Sequence, residues 1–278
     1  MTVGIVGLGL IGGSFAMALR TDRAGDRILV SERSPETLDR ARLLGLFDGE
    51  LTKETLREAD LLLLALYPRA AAKWLREHAS LLSPSTVVVD CAGIKREICE
   101  LGRELSRRHG FCFVGGHPMA GREVWGLEAA RDDLFIGASM ILTPESDTPI
   151  ERLSHLKRFF LSLGFSRVTF CSPEEHDRII AYTSQLAHVL SSAYISSPTA
   201  EKQRGFSAGS FRDMTRVAAI NAEMWSEILV SNREPLLSEI DRLLARLSDF
   251  RNAIADRNES DLRRMLSEGA ARKKEYGG

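Results

Sequence analysis

The sequence lacks the features that mark membrane, secreted and nucleic-acid-binding proteins. No apolar run approaches the roughly 20 residues of a membrane-spanning helix, and the N-terminus begins with a β-rich run instead of a signal peptide. Neither charge sign is in excess, because 37 Lys and Arg face 38 Asp and Glu. A chain without a basic surface offers little to nucleic acid or anionic lipid. We therefore expect a cytoplasmic protein whose partner is a small molecule, not nucleic acid or a membrane.

Cysteine is also scarce. The four cysteines, Cys91, Cys99, Cys112 and Cys171, include no C-x-x-C pair. They are typical of small buried residues in a reducing compartment, and they predict neither disulfides nor a metal site. With 278 residues the chain is too long for one small core and suits two domains.

A glycine-rich turn follows the first predicted strand. The β-rich run Thr2–Val6 leads into a G-x-G-x-x-G motif, and a helical pattern follows at 15–20. Between a strand and a helix, such glycines allow a tight turn and a close approach of pyrophosphate to the helix N-terminus. The motif predicts dinucleotide binding, and the alternative is a turn that merely favours glycine. The residues predicted to contact the cofactor are Gly7, Gly9, Leu10, Ile11 and Gly12.

The second predicted strand, Arg27–Ser31, is followed by an acidic residue. Glu32 lies twenty residues after Gly12, where a carboxylate accepts hydrogen bonds from the ribose hydroxyls of adenosine. This favours NAD, because a carboxylate repels the 2′-phosphate of NADP. The neighbouring Arg33 is able to pair with such a phosphate, so NADP is not excluded. The alternative is that Glu32 and Arg33 are solvated loop charges.

Strand and helix patterns then alternate up to residue 170. Each predicted strand is a continuous apolar run, as in a sheet with both faces covered. The predicted fold class is therefore α/β, with a mostly parallel, doubly wound Rossmann-type domain. Strands are predicted at 61–66, 86–89, 111–114, 139–142 and 167–170, and helices at 35–44, 70–78, 124–131 and 150–163, with another ending near 108.

At Ser172 the pattern becomes helical. Ser172 is a favourable N-cap, Pro173 suits the first helical position, and Glu175 completes a capping box. We predict a boundary near Cys171, with an NAD(P)-binding domain at 1–171. An all-α substrate-binding and dimerisation domain would follow at 172–278.

Helices of this second domain are predicted at 174–196, 211–217, 222–240 and 248–274. One apolar stripe, which includes Leu186, Val189, Leu190 and Tyr194, is too wide for a small lone domain to bury. It predicts a homodimer through the C-terminal helices. The alternative is a bundle that folds back on the nucleotide-binding domain.

His117 follows the predicted strand at 111–114 and has glycines on both sides. We expect it in a loop at the edge where open α/β sheets place their chemistry. The glycines would let a ligand approach the backbone closely. A lone histidine is more often structural, so its role depends on the rest of the chain.

Three further segments carry groups that bind ligands or move protons. The motifs are H-P-M-A-G-x-E at 117–123, E-E-H-D at 174–177 with S-Q-L-A-H at 184–188, and F-R-D-M-T-R-x-A at 211–218 with a later M-W. In this order and spacing the chain resembles the prephenate dehydrogenase family of tyrosine biosynthesis. The resemblance implies oxidation of prephenate with NAD(P) and loss of carbon dioxide to give 4-hydroxyphenylpyruvate. Some relatives use arogenate and give tyrosine.

The resemblance assigns the central chemistry to His117 and Arg216. In the family, the histidine of the H-P-M-x-G loop accepts the proton of the ring hydroxyl as hydride leaves the same carbon. A neutral imidazole suits this task, because its ordinary pKa lies near working pH. Arg216 matches the family's carboxylate ligand, and a guanidinium fork suits a planar carboxylate. The alternative for Arg216 is a pair with Asp213 on the same helix.

The other substrate-binding residues implied by the resemblance are His188, Glu123, Asp213, Trp225 and Gly93. His188 matches a second family histidine near the substrate and favours prephenate over arogenate, with a core histidine as the alternative. Glu123 and Trp225 resemble residues that shape or gate the pocket. Trp225 fits a plain core position almost as well.

The chain departs from the family pattern at two places. Gly93 replaces a serine that bonds the catalytic histidine in many relatives, so a water or the Gly93 backbone would substitute. Gln185 and Ala187 replace a histidine and a helix-bending proline. His176 is interpreted as structural, because one helix with two histidines and no clustered carboxylates or thiols makes a poor metal site.

Two alternatives remain beside the expected monofunctional prephenate dehydrogenase. The nearer one is a dehydrogenase that acts on arogenate or on an amino-substituted prephenate. The other is a non-catalytic NAD-binding dimer that senses redox state. No segment of the sequence resembles a chorismate mutase or a regulatory domain, which is why one activity is expected.

Overall fold

An eight-stranded sheet organises the first part of the chain in the computed structural model, which describes residues 1–276. The strands are β1 (Thr2–Val6), β2 (Arg27–Ser31), β3 (Gly49–Glu50), β4 (Leu61–Leu64), β5 (Val87–Asp90), β6 (Cys112–Pro118), β7 (Ser139–Thr143) and β8 (Arg167–Phe170). Their spatial order is β3-β2-β1-β4-β5-β6-β7-β8, and only β6 and β7 pair in antiparallel fashion. The predicted fold class, a mostly parallel Rossmann-type sheet, is confirmed. Residues 277 and 278 of the predicted second domain lie outside the described residues.

Helices cover both faces of this sheet. They are α1 (Leu10–Asp22), α2 (Pro35–Leu43), α3 (Pro68–His78), α4 (Arg96–His109) and α5 (Ile150–Leu161). One core cluster packs β1 and β2 against α1 and α5, and it includes the fully buried Phe15 and Phe160. A second cluster packs β4 and β5 against α3 and α4. With both faces covered, the central strands must be apolar throughout, as their sequences are.

His117 lies inside β6, so the prediction of a loop after residue 114 is wrong. Residues 115–118 pair in antiparallel fashion with residues 140–143, and His117 lies opposite Ile141. Glycine and proline disfavour strands when only the local sequence is considered. The pairing with β7 overrides that preference, and it holds His117 on a hydrogen-bonded strand.

The two glycines before His117 allow close packing and do not open the backbone to a ligand. A Cβ on Gly115 would overlap Thr143 Oγ1 and Cys99 Sγ, and one on Gly116 would lie 2.5 Å from the carbonyl oxygen of Asp90. The prediction that glycines on both sides admit a ligand is therefore wrong on this side. Beyond His117, a Cβ on Gly121 would meet no atom within 4 Å.

The remainder of the described chain is helical, as the fold class predicts. In α6 (Pro173–Ile180) the Ser172 hydroxyl accepts a hydrogen bond from Glu175 N at 3.1 Å, as the capping pattern indicates. A π-helical segment, Ala181–Gln185, leads into α7 (Leu186–Ile195). The later helices are α8 (Gly209–Thr215), α9 (Ala222–Ser231), α10 (Arg233–Ala255) and α11 (Glu259–Tyr276). Within residues 1–276, none of the helices combines the length and apolar character needed to cross a membrane.

The helix predicted at 124–131 is wrong. Only a 3₁₀ turn forms there, at Leu127–Ala129, because Gly126 adopts φ +88° directly before it. The periodicity of the sequence could not reveal this, since a positive φ depends on how the segment returns to the sheet.

The helices predicted at 222–240 and 248–274 have different boundaries. The first breaks at Asn232, whose side-chain Nδ2 donates to Asp177 O and Gln185 Oε1, each at 2.8 Å. After the break, α10 runs without interruption through residue 248 to Ala255. Asn258 then caps α11 by accepting a hydrogen bond from Asp261 N at 3.1 Å.

Candidate active site

The glycine loop follows β1 and opens directly into α1, which begins at Leu10. Gly7 has φ +88°, and a Cβ on it would lie 2.7 Å from the carbonyl oxygen of Ala65. A Cβ on Gly12 would overlap the carbonyl oxygen of Gly7, whereas one on Gly9 would meet nothing within 4 Å. Gly7 and Gly12 therefore make the tight turn, and Gly9 leaves open space at the start of the helix.

The N-terminus of α1 fits an anionic diphosphate. Its N-cap, Gly9, provides no side-chain hydrogen bond, and no acidic residue lies in the first turn. The first amides of the helix, including those of Leu10 and Ile11, have no partner within the helix. They are free to bind phosphate oxygens, and the helix dipole favours a negative charge there.

Glu32 stabilises the same corner of the sheet. Its Oε2 accepts a hydrogen bond from Leu8 N at 2.8 Å, and its Oε1 accepts one from Ser34 N at 2.9 Å. The carboxylate is thereby fixed beside the glycine loop, with lone pairs left for ribose hydroxyls. Arg33 is exposed. A negative charge held at this position suits NAD better than NADP.

His117 belongs to a chain of hydrogen bonds that starts in the protein interior. Its Nδ1 lies 2.9 Å from His176 Nε2, and His176 Nδ1 lies 2.7 Å from Asp177 Oδ1. His176 and Asp177 are only 1% and 2% exposed. We call His117, His176 and Asp177 the inner cluster. It joins β6 to α6. His176 and Asp177 follow His117 by 59 and 60 residues in the sequence, and the fold brings the two elements together.

Burial keeps both histidines of the inner cluster neutral. It lowers the pKa of His117 well below 6.5, and the neighbouring His176 and Lys95 lower it further. Burial also lowers the pKa of His176, although the hydrogen bond to Asp177 opposes this. At neutral pH His117 therefore has a lone pair available to accept a proton.

A buried ion pair fixes the strand that carries His117. Lys95 and Asp90 are both fully buried and hydrogen bonded to each other. Lys95 Nζ also donates to Gly116 O at 2.6 Å, and Gly116 N donates to Asp90 Oδ1 at 3.1 Å. The pair thus ties the end of β5 to β6 at the residue before His117. Removal of either partner would leave an uncompensated buried charge.

Gly93 faces the second nitrogen of His117. A Cβ on Gly93 would lie 3.9 Å from His117 Nε2 and 3.7 Å from Ile228 Cδ1. These are ordinary contact distances, so position 93 has room for a small side chain and leaves space beside Nε2. Ile228 belongs to α9, which shows that the helical part of the chain forms one wall of this space.

Arg216 pairs with Glu123, 93 residues away in the sequence. The side chains of Arg216 and Glu123 are 65% and 38% exposed, so the pair is accessible to solvent. The alternative partner, Asp213, is exposed on α8, and no ion pair within residues 1–276 joins it to Arg216. The guanidinium of Arg216 is thus held by a carboxylate from the segment that follows His117.

His188 stacks on Trp225, with ring centroids 3.8 Å apart and planes inclined by 28°. His188 Nδ1 donates to the carbonyl oxygen of Ser184 at 2.9 Å. Burial lowers the pKa of His188, the carbonyl of Ser184 and the charge of Glu123 raise it, and the charge of Arg216 lowers it. These four side chains, Glu123, Arg216, His188 and Trp225, form what we call the outer cluster.

The contacts of His176 and Asp177 do not follow from the sequence. His176 was expected to be structural, yet it contacts His117 directly. The sequence offers only the E-E-H-D motif as a signal, because the burial of His176 and Asp177 becomes visible in the folded chain alone. Asn232 was missed as well, because its contacts come from two distant segments.

The open helix N-terminus and the neutral histidine lie at the same edge of the sheet, where β1 and β6 end. Together they define the class of protein, a nicotinamide-nucleotide-dependent oxidoreductase. The chain belongs to the prephenate dehydrogenase family. Residues 15–168 match the nucleotide-binding domain of prephenate dehydrogenase, and residues 172–268 match its dimerization domain.

Individual relatives agree along nearly the whole chain. Cyclohexadienyl dehydrogenase of Zymomonas mobilis is 32% identical over 264 residues, which cover 92% of this chain and 89% of that protein. The structure of Aquifex aeolicus prephenate dehydrogenase with hydroxyphenyl propionate and NAD+ has a TM-score of 0.84 at 31% identity, covering 99% and 98% of the two chains. Synechocystis arogenate dehydrogenase also has a TM-score of 0.84, at 28% identity and 99% and 100% coverage.

Proposed function

We propose that the protein catalyses the oxidative decarboxylation of prephenate to 4-hydroxyphenylpyruvate, with NAD as the hydride acceptor. The observation that carries this proposal is the setting of His117, whose pKa is lowered by burial and whose Nε2 lies beside Gly93, a residue without a side chain. A base in that place is able to receive a hydroxyl proton at the sheet edge where the dinucleotide binds. Membership of the family supports the same reaction.

Bound NAD supplies the hydride acceptor. As hydride leaves the ring carbon that bears the hydroxyl group, His117 Nε2 takes the hydroxyl proton. The bond between the ring and its carboxylate then breaks, carbon dioxide leaves, and the bonding electrons complete the aromatic ring. The phenolate oxygen regains a proton, so atoms and charge balance. The contribution of His117 is to accept the proton in the transition state, where it lowers the barrier.

We further propose that the outer cluster binds the side chain of the substrate. Arg216 would exchange the carboxylate of Glu123 for that of the substrate, because the exposed pair is weak and a guanidinium binds any planar carboxylate in the same way. His188 and Trp225 would border the substrate next to it. Asp213 is proposed near this region on the basis of its motif and of its place on α8.

For the cofactor, we propose that Gly7, Gly9, Leu10, Ile11 and Gly12 surround the diphosphate and that Glu32 binds the ribose, with Arg33 at the margin. A boundary near Cys171 is supported by the change from sheet to helices between β8 and α6. A homodimer through the C-terminal helices is supported by the dimerization-domain match. The cytoplasmic location stays a prediction from the sequence.

The test is the absorbance of reduced nicotinamide, with prephenate and arogenate supplied in parallel, each with NAD and with NADP. We expect rapid reduction with prephenate and NAD. A preference for arogenate would change the assigned substrate from prephenate to arogenate. The relatives do not decide this point, because their names include a cyclohexadienyl dehydrogenase and an arogenate dehydrogenase. If none of the four combinations produced reduced nicotinamide, the proposed reaction would be contradicted.

A further inference from the structure

We propose that His176 and Asp177 are positioning residues that set the tautomer of His117, and that within residues 1–276 they provide the only hydrogen-bonded support of its ring. This inference deepens the proposed function, because it depends on His117 acting as the base. It makes a buried pair on α6 necessary for chemistry on β6.

The first step is the fixed orientation of Asp177. Its Oδ1 accepts a hydrogen bond from Lys95 N at 2.8 Å, and its Oδ2 accepts one from Arg96 N at 2.9 Å, both at the start of α4. Its own carbonyl accepts a hydrogen bond from Asn232 Nδ2 at 2.8 Å. A carboxylate held in this way is an acceptor only, so the neighbouring nitrogen of His176 must donate.

The second step follows along the chain of rings. His176 is neutral and donates through Nδ1, so its Nε2 has no proton and accepts. Its partner at 2.9 Å, His117 Nδ1, must therefore carry a proton. The remaining nitrogen, His117 Nε2, then has the lone pair, and it is the one that faces the space beside Gly93. The opposite tautomer would place a proton on Nε2 and abolish the base.

The third step concerns the charge that forms in the reaction. When Nε2 takes a proton, His117 becomes an imidazolium in a half-buried place. Two pairs lie beside it, the ion pair of Lys95 with Asp90 and the hydrogen-bonded pair of neutral His176 with the carboxylate of Asp177. The charge of Lys95 disfavours a positive charge on His117, and the carboxylate of Asp177, acting through His176, is the group that opposes this effect. The same pair therefore selects the tautomer and lowers the barrier.

The ring of His117 is supported at one of its two nitrogens. The ring of His117 is held at Nδ1 by His176, whereas Gly93 offers no side chain to Nε2. A serine at position 93 would have room, since its Cβ would lie 3.9 Å from Nε2. The orientation of the base in this chain therefore depends on His176 more strongly than it would with a hydroxyl at position 93.

The direct test reads the tautomer by NMR of the protein labelled with ¹⁵N-histidine, without substrate. We expect a protonated Nδ1 and a bare Nε2 for His117 at pH 7 in the wild type, and a mixture of tautomers in Asp177→Asn. An unchanged tautomer in Asp177→Asn would overturn the proposal. The tautomer is measured without substrate, so the result does not depend on whether prephenate is the substrate.

The kinetic test is a double-mutant cycle. We expect His176→Ala to lower kcat about 10- to 100-fold with little change in KM, a size typical of coupled neighbours. In a His117→Asn background the same substitution should cost less than about twofold, because a positioning residue has nothing left to position. Equal losses in both backgrounds would show a merely structural role.

Two further variants control for folding. Ile180→Ala removes a buried side chain, 3% exposed, from the same helix and leaves all three members of the inner cluster unsubstituted. It should lower the melting temperature but leave kcat and the tautomer unchanged. Adding Gly93→Ser to His176→Ala should restore part of the lost kcat by holding the ring from the other side. The proposal would be contradicted if Gly93→Ser restored no kcat and if Ile180→Ala lowered kcat as much as His176→Ala does.

Discussion

The inner cluster and the outer cluster differ in how the protein holds them. In the inner cluster His176 and Asp177 are buried and His117 is half-buried. Hydrogen bonds join the three side chains, and the acceptor, Asp177, is fixed by backbone amides. The outer cluster contains a solvent-exposed ion pair, with Arg216 65% exposed. Buried polar groups are costly unless they are fully satisfied, whereas exposed pairs contribute little to stability. The inner cluster is therefore arranged before the substrate arrives, and the outer cluster can exchange partners.

The difference matches the two tasks of the site. Proton transfer needs a base with a defined tautomer and orientation at the moment of reaction. Binding a carboxylate needs a cation that can release its resting partner at small cost, as Arg216 can release Glu123. The predictions below test whether the two clusters differ in this way.

The largest effect should come from the inner cluster. His117→Asn removes the base but leaves the glycine loop intact, so turnover should fall about 10²- to 10⁴-fold, the range for a lost general base. NAD affinity, measured by calorimetry, should be unchanged. Turnover close to that of the wild type would remove His117 from the mechanism and end the distinction between the two clusters.

A smaller effect is expected in the outer cluster. Arg216→Ala should lower kcat/KM about 10- to 100-fold, the value of a charged hydrogen bond, and most of the loss should appear in KM. The exposed Arg204→Ala serves as the matched control and should change neither constant. Glu123→Gln frees the guanidinium and should lower KM about twofold, because the exposed ion pair is worth little. A loss confined to kcat in Arg216→Ala would place Arg216 in the chemistry and not in binding.

The smallest effect is a dependence of stability on pH, to which both histidines of the inner cluster contribute together with His188 of the outer cluster. The pKa values of His117 and His176 are lowered in the folded protein, so the unfolded chain binds more protons as the pH falls below 6.5. Their contribution to the free energy of unfolding is therefore present above about pH 6.5 and is lost as the pH falls below it. Between pH 7 and 5.5 we expect the melting temperature to fall by roughly 2–4 °C, the shift that accompanies about 1 kcal/mol in a chain of this size.

In His176→Ala the melting temperature should fall less steeply between pH 7 and 5.5. The wild-type slope should persist in His155→Ala, which removes an exposed histidine. An identical slope in all three proteins would show that the buried histidines do not carry it. The carboxylates do not confuse the comparison, because they titrate mostly below this pH range.

Much of the molecule followed from patterns in the sequence. The strand, G-x-G-x-x-G turn and helix predicted a dinucleotide site because each glycine has a local steric task, and the contacts at Gly7 and Gly12 show that task. Ser172 predicted the start of α6 because a capping box is local as well. Family motifs pointed to His117 and Arg216. What failed was any statement that depended on a distant partner, such as the loop expected at His117 and the helix expected across Asn232.

The sequence by itself determined the fold class and the glycine turn after β1, because periodicity, capping and steric freedom act over a few residues. Its resemblance to a family pointed to His117. Only the tertiary structure decided that β7 pairs with the end of β6 that carries His117, that Arg216 pairs with Glu123, and that His176 contacts both His117 and Asp177. The physical reason is that hydrogen bonds and burial depend on distance in space. Residues 59 and 93 positions apart share no local signal, and only the folded chain brings them within 3 Å of each other.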